Sequence, residues 1–169
     1  MSDRASAASL LGLPEMRVNL DPGLNFQDGR LSELVRYWQD KRGNRPMPSR
    51  LDVVPAELTR FLGDIILVDI EQPLRLRYRL VGSNITATMQ RDQTGRYFDE
   101  IYEPALCERV TESYRWVIAQ LKPLRTFGAA FYPDKHFYNY ETLLLPLSAD
   151  GRQVNMVLGG LVFHLSKPA

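Results

Sequence analysis

Two histidines and one cysteine are the chain's only imidazole and thiol groups, so nucleophilic and metal chemistry must begin from them. Asp134 and His136 stand two apart, which general acid–base work would accept. They fall, however, in Pro133-Asp134-Lys135-His136, whose residue types read as a charged hairpin loop. His164 lies near the end of the last apolar run. Cys107 is alone, so it makes no intramolecular disulfide and nucleates no multi-cysteine zinc site. In Ala105-Leu106-Cys107-Glu108-Arg109 it reads as a small buried or half-buried residue. No His, Cys and carboxylate cluster has metal-ligand spacing. The expectation is no enzyme, no catalytic residues and no metal.

Charged residues offer binding chemistry instead. Arg75, Arg77 and Arg79 stand about 7 Å apart along one strand face. They are either an anion-binding stripe or a face that is solvated or paired with carboxylates. The near-neutral net charge favours the second. Glu141 shares a face with Leu143, Leu145 and Leu147, and a buried carboxylate needs a cation or hydrogen-bond donors. Arg79 or a bound ligand is the expected partner, with a structural ion pair preferred.

These residues need elements to hold them. Residues 1–28 read as a flexible or docked tail, broken by Pro14, Asp21-Pro22-Gly23 and Asp28-Gly29. Leu31, Leu34, Val35 and Trp38 fall at i, i+3, i+4 and i+7, which predicts a helix over 31–41 stopped by Gly43. A second short helix is expected over 55–62, opened by Pro55. Residues 29–62 thus form an N-terminal helical segment ahead of a core at 63–169. A β-branched strand over 65–70 and a second over 74–81 make a hairpin. In the second strand Leu74, Leu76, Tyr78 and Leu80 share one face, while Arg75, Arg77, Arg79 and Val81 share the other. Short helical pieces fill 82–102, and a long helix runs over 104–121 with Leu106, Val110, Tyr114, Val117 and Leu121 on one side. Three strands follow, over 124–132, 137–147 and 154–165, joined by turn-like segments at 133–136 and 148–151.

Composition agrees with one globular domain. The chain has 169 residues, 44% hydrophobic and 24% charged, which excludes a disordered or fibrous protein. Its 21 basic and 20 acidic residues leave a net charge of +1, too little to suggest nucleic acid or an anionic membrane as partner. No stretch approaches the roughly 20 apolar residues that span a bilayer, and the N-terminus lacks a secretory pattern. A cytoplasmic protein is expected.

Two strands, a helical middle ending in one long helix, and a three-stranded meander resemble a PAS domain. Arg77-Tyr78-Arg79-Leu80-Val81-Gly82, Thr94-Gly95-Arg96 and the 99–101 region fit its second strand and helical crossover. The chain further resembles a family of short bacterial PAS-like proteins common in alphaproteobacteria. The matching segments are Tyr37-Trp38 with Arg42-Gly43, Pro48-Ser49-Arg50-Leu51-Asp52, Asp92-Gln93-Thr94-Gly95-Arg96, and Leu144-Leu145-Pro146-Leu147 to Asp150-Gly151. The resemblance covers residues 31–165.

That resemblance implies an α+β fold, a five-stranded antiparallel sheet in the order 2-1-5-4-3 with flanking helices. It implies a cavity between sheet and long helix, bounded here by Met89, Tyr97, Phe98, Tyr114, Val117, Phe127 and Glu141. Haem is not expected, because the long helix carries no histidine ligand. Flavin photochemistry is not expected either, because Cys107 lies outside an Asn-Cys-Arg-Phe-type motif. The implied role is a sensory or adaptor domain that binds an unidentified small ligand and signals to a kinase or cyclase in trans. The alternative is a pure interaction or dimerisation module without a ligand. Leu31, Leu34, Val35 and Trp38 are the expected contact stripe of a homodimer.

Overall fold

A computed structural model describes residues 17–131 and 137–165; the 133–136 loop, with Asp134 and His136, lies outside them. The chain starts with a short strand β1 (Asn19–Asp21) and helix α1 (Gly29–Arg42). Asp28 caps α1, its carboxylate accepting from the Arg30 N–H at 2.9 Å. Gly43 ends the helix at φ 56°, and its N–H donates to the Gln39 carbonyl.

All four apolar stripe residues of α1 are buried, Leu34 to 1% exposure and Trp38 to 4%. The helix lies across the sheet at Gly160, where an added Cβ would come within 2.7 Å of a Leu31 methyl. The Trp38 indole N–H donates to the Pro146 carbonyl at 2.8 Å. Leu31, Leu34, Val35 and Trp38 are therefore core of one chain. The expectation that they form an interface between copies is corrected: the chain's own sheet covers them.

Between α1 and the next strand the backbone makes three one-turn 3₁₀ segments, Arg50–Asp52, Pro55–Glu57 and Leu62–Asp64. The single helix expected over 55–62 does not form. Leu58 N–H bonds the Pro55 carbonyl and Phe61 N–H the Leu58 carbonyl, so three-residue turns satisfy the backbone there. Val53 and Leu58, which close the first two turns, are buried in the core.

Strands β2 (Ile65–Glu71) and β3 (Arg75–Val81) form the expected hairpin. Its register slips where Leu67 faces Leu80 and Val68 faces Tyr78, leaving Arg79 without an opposite residue. The bulge breaks the alternation, so Leu80 is 42% exposed instead of joining the inward face, and Val81 comes opposite Ile66.

Helices α2 (Ser83–Met89) and α3 (Phe98–Ile101) lead into α4 (Pro104–Gln120), which begins with proline and ends at Leu121 in the left-handed region. Strands β4 (Leu124–Phe131), β5 (Phe137–Leu147) and β6 (Met156–Leu165) complete one sheet in the order β1-β4-β5-β6-β2-β3. Five of these are the strands expected from sequence, in the expected order. The sixth, β1, adds to the β4 edge through the pairs Asn19–Phe127 and Asp21–Arg125.

The sheet is the middle layer of three. On β5, Glu141 and Leu143 face α1, since Leu143 sits opposite Gly160. Tyr140, Thr142 and Leu144 line the other side, beneath α4. Period-two alternation thus gives each face of β5 to a different layer. Among the described residues no helix is long and apolar enough to cross a membrane.

Candidate functional site

The inner layer holds an aromatic cluster. The Phe98 ring, 2% exposed, lies 4.5 Å from Tyr78 and meets Tyr102 and Tyr114 edge-on at 5.6 and 5.5 Å. The Tyr78 and Tyr102 hydroxyls hydrogen-bond each other at 2.7 Å. Beside this cluster, between the sheet and α4, is a cavity of about 70 Å³. Ile66, Met89, Val110, Leu144 and Leu161 supply apolar wall, with Val18 at one side. Hydroxyl groups supply the rest: Tyr78, Tyr102, Ser113 and Tyr114 from the hairpin and helices, and Thr126, Tyr140 and Thr142 from β4 and β5.

Several of these hydroxyls are already bonded. Ser113 donates to the Val110 carbonyl, and Tyr140 to the Arg17 carbonyl at 2.6 Å. Those of Tyr114, Thr126 and Thr142 have no hydrogen-bond partner among the described residues. Burial pushes the Tyr102, Tyr114 and Tyr140 phenols above their ordinary range, so they stay protonated near neutral pH.

The seven residues expected at one cavity are divided: Phe127 and Glu141 line a second cavity of about 410 Å³ with Gln27, Arg125 and His164. Met89 and Tyr114 line the first, Phe98 belongs to the adjoining aromatic cluster, and Val117 is fully buried on α4. Tyr97 lies elsewhere, its hydroxyl donating to Glu71 at 3.0 Å and its ring 3.5 Å beneath the Arg75 guanidinium. Phe127 is on β4 with Arg125 stacked on it at 4.3 Å. Glu141 is on the opposite sheet face, because its position on β5 is odd where the first cavity's residues are even. The Thr126–Thr142 cross-strand pair is the part that residue-by-residue reading missed. Its signal was present: polar threonines at inward positions of strands otherwise apolar there.

Glu141 has a structural task. Its carboxylate accepts from the Gln27 and Asp28 N–H groups, each at 2.9 Å, and from Arg125 Nε at 2.8 Å. Arg125 also reaches Asp21 at 3.1 Å. The expected pairing of Glu141 with Arg79 or with a pocket ligand is therefore replaced by Arg125 and the backbone leading into α1. The arginines of β3 are carboxylate-paired, as the neutral charge implied. Arg75 grips Asp99 with two bonds, Arg77 bonds Asp69 at 2.9 Å, and Arg79 stands 3.5 Å from Asp69.

A family model described as a PAS domain matches residues 27–162. The chain belongs to the PAS domain family and is thus of a class that is sensory in general and typically not catalytic. No curated protein matches its sequence. Among solved structures it is similar to "Structure of an RNA-binding Light-Oxygen-Voltage Receptor", with a TM-score of 0.52 and 17% identity over 92% of this chain and 41% of that one. It is also similar to "Flavin Analogue Sheds Light on Light-Oxygen-Voltage Domain Mechanism", with a TM-score of 0.50 and 12% identity over 64% of this chain and 82% of that one. Identities this low establish the fold alone. The chain spans less than half the length of the first of these structures.

Light-oxygen-voltage relatives raise flavin as a cofactor, and the residues here do not fit it. The cavity's ≈ 70 Å³ is well below the roughly 300 Å³ at which drug-sized ligand pockets begin. Cys107, half-buried in the first turns of α4, is not among the cavity's lining residues. This cavity's size and the place of Cys107 do not match a flavin.

Proposed function

We propose that the chain is a PAS sensor that binds a small molecule in the cavity between its sheet and α4 and signals the event to a partner protein in trans. The supporting observation is the cavity itself, where the hydroxyls of Tyr114, Thr126 and Thr142 line an otherwise largely apolar wall without partners among the described residues. Tyr114 and Thr126 are buried and Thr142 half-buried, and buried polar groups in native proteins nearly always have a partner, which a ligand or ordered water supplies. The partner class follows from the family resemblance, with a kinase or cyclase as the expected receiver.

The test is a metabolite screen by thermal shift on the full chain. A ligand at one hundred times its dissociation constant stabilises the folded state by about 2.7 kcal/mol, which moves the melting temperature by several degrees. Compounds that shift the wild type but not a cavity-filling Thr142→Leu variant support the reading. No shift from any small compound counts against it.

A second reading, an interaction module without a ligand, is favoured by one observation. Leu51 is 92% exposed on the 3₁₀ turn at Arg50–Asp52. That turn is braced by Asp52, which accepts from the Ser49 N–H at 2.7 Å and pairs with Arg45 at 3.0 Å. Loss of partner capture in Leu51→Asp, with no ligand found, would favour this reading.

A further inference from the structure

We infer that the cavity selects an uncharged molecule of about three or four non-hydrogen atoms that carries a hydrogen-bonding group, such as a short amide or alcohol. This rests on the reading of the cavity as the ligand site, and it concerns what that site accepts.

Size sets the first limit. A cavity of roughly 150 Å³ holds benzene, with six carbons, and the one here has about 70 Å³. Charge sets the second. Among the described residues no Asp, Glu, Lys, Arg or His lines the cavity; Arg109 on α4 is close enough to act on the Tyr140 phenol but is not part of the lining, and the ion pairs of Glu141 and Arg75 are on the far sheet face and at the β3 edge. An ion placed there would lose its hydration without touching a counter-charge in the described lining.

Polarity sets the third. Thr126 and Thr142 are directly opposite on β4 and β5, so their Cβ atoms lie about 5 Å apart. Tyr114 is 3% exposed and Thr126 4%. Three hydroxyls without partners among the described residues, two of them on adjacent strands, leave donors and acceptors for one small polar molecule. Burial keeps the Tyr114 phenol protonated, so it remains available as a donor. A purely apolar guest would leave all three unsatisfied.

The experiment uses three probes of equal size, namely acetamide, acetate and isobutane. Each is titrated into the ¹⁵N-labelled full-length chain and followed through the amide signals of Thr126 and Thr142. Acetamide is expected to give saturable shifts, and acetate none at the same concentration. Thr142→Val and Tyr114→Phe, both close in shape to the native residue, are expected to weaken acetamide about fivefold each without weakening isobutane. Two variants on different elements guard against one that fails to fold. Acetate binding as tightly as acetamide, or isobutane binding more tightly than acetamide to the wild type, overturns the inference while the cavity remains a ligand site. Binding of none of the three overturns the inference, and the ligand-site reading falls with it only if the thermal-shift screen is also empty.

Discussion

Arg125 on β4 and Glu141 on β5 meet diagonally across the outer sheet face, the guanidinium Nε donating to the carboxylate at 2.8 Å. Both side chains are over nine-tenths buried. The same carboxylate takes the last two backbone N–H groups before α1, so it ties the helix to the sheet at its start.

Removing one member of such a pair costs more than the pair contributes, because the other is left buried. Glu141→Ala also orphans two amides, and is expected to lower stability by about 3–5 kcal/mol. Arg125→Met leaves those amides satisfied and is expected to cost less. Urea unfolding of the two variants checks the order. Equal losses would mean that the amides contribute nothing.

The buried stripe of α1 predicts failure of folding when it is made polar. Leu34→Ala is expected to cost about 2–5 kcal/mol. Trp38→Phe leaves the Pro146 carbonyl without its indole donor, for about 1–3 kcal/mol. The double variant Leu34→Asp, Trp38→Gln is expected to lose its near-ultraviolet circular dichroism. A folded monomer from that variant would restore these residues as an interface.

Two glycines separate backbone contact from side-chain contact. A Cβ at Gly82 would come within 2.3 Å of the Gly63 carbonyl oxygen, which has no rotamer to yield. At Gly160 the nearest atoms are leucine methyls, which can turn aside. Gly82→Ala is therefore expected to destabilise at the upper end of the roughly 1–3 kcal/mol range for overpacking, and Gly160→Ala at the lower end. Thermal melts of the two single variants decide it.

Tyr102 and Tyr114 bring an alkaline limit. Burial raises both phenols, so above pH ~10 the unfolded chain releases protons that the folded chain keeps. Stability is thus flat in these two groups below pH ~10 and falls above it, by about 1.4 kcal/mol per pH unit per phenol. Tyr140 is raised in the same way, so Tyr114→Phe is expected to remove only one phenol's share of the slope between pH 10 and 11. Phenolate absorbance, followed with the urea midpoint, measures it. An unchanged slope would show that Tyr114 ionises freely in the folded protein.

Most of the fold was legible because its elements carry strong periodic signals. The stripe of Leu31, Leu34, Val35 and Trp38 marks a helix, and proline and Asp-Gly signals bound the last three strands. What the stripe could not show is which surface covers it, since burial under the chain's own sheet and burial under a second copy demand the same residues. The bulge at Arg79 was hidden because the pattern from 74 to 81 alternates without interruption, and only pairing with β2 exposes the extra residue. The cavity residues were half legible. Met89 and Tyr114 follow from their helices, whereas Glu141 was assigned to the wrong face because alternation gives two sides without saying which layer lies on each. Arg125 was missed because its partner stands diagonally rather than opposite.

The parity of β5 separates two kinds of inheritance along one strand. Changes at Thr142 or Leu144 alter what the cavity meets, while Glu141 and Leu143 keep α1 attached. A randomised library at 126, 142 and 144 therefore samples new guests against a constant scaffold. Its complement at 125, 141 and 143 samples new attachments of α1 against a constant guest.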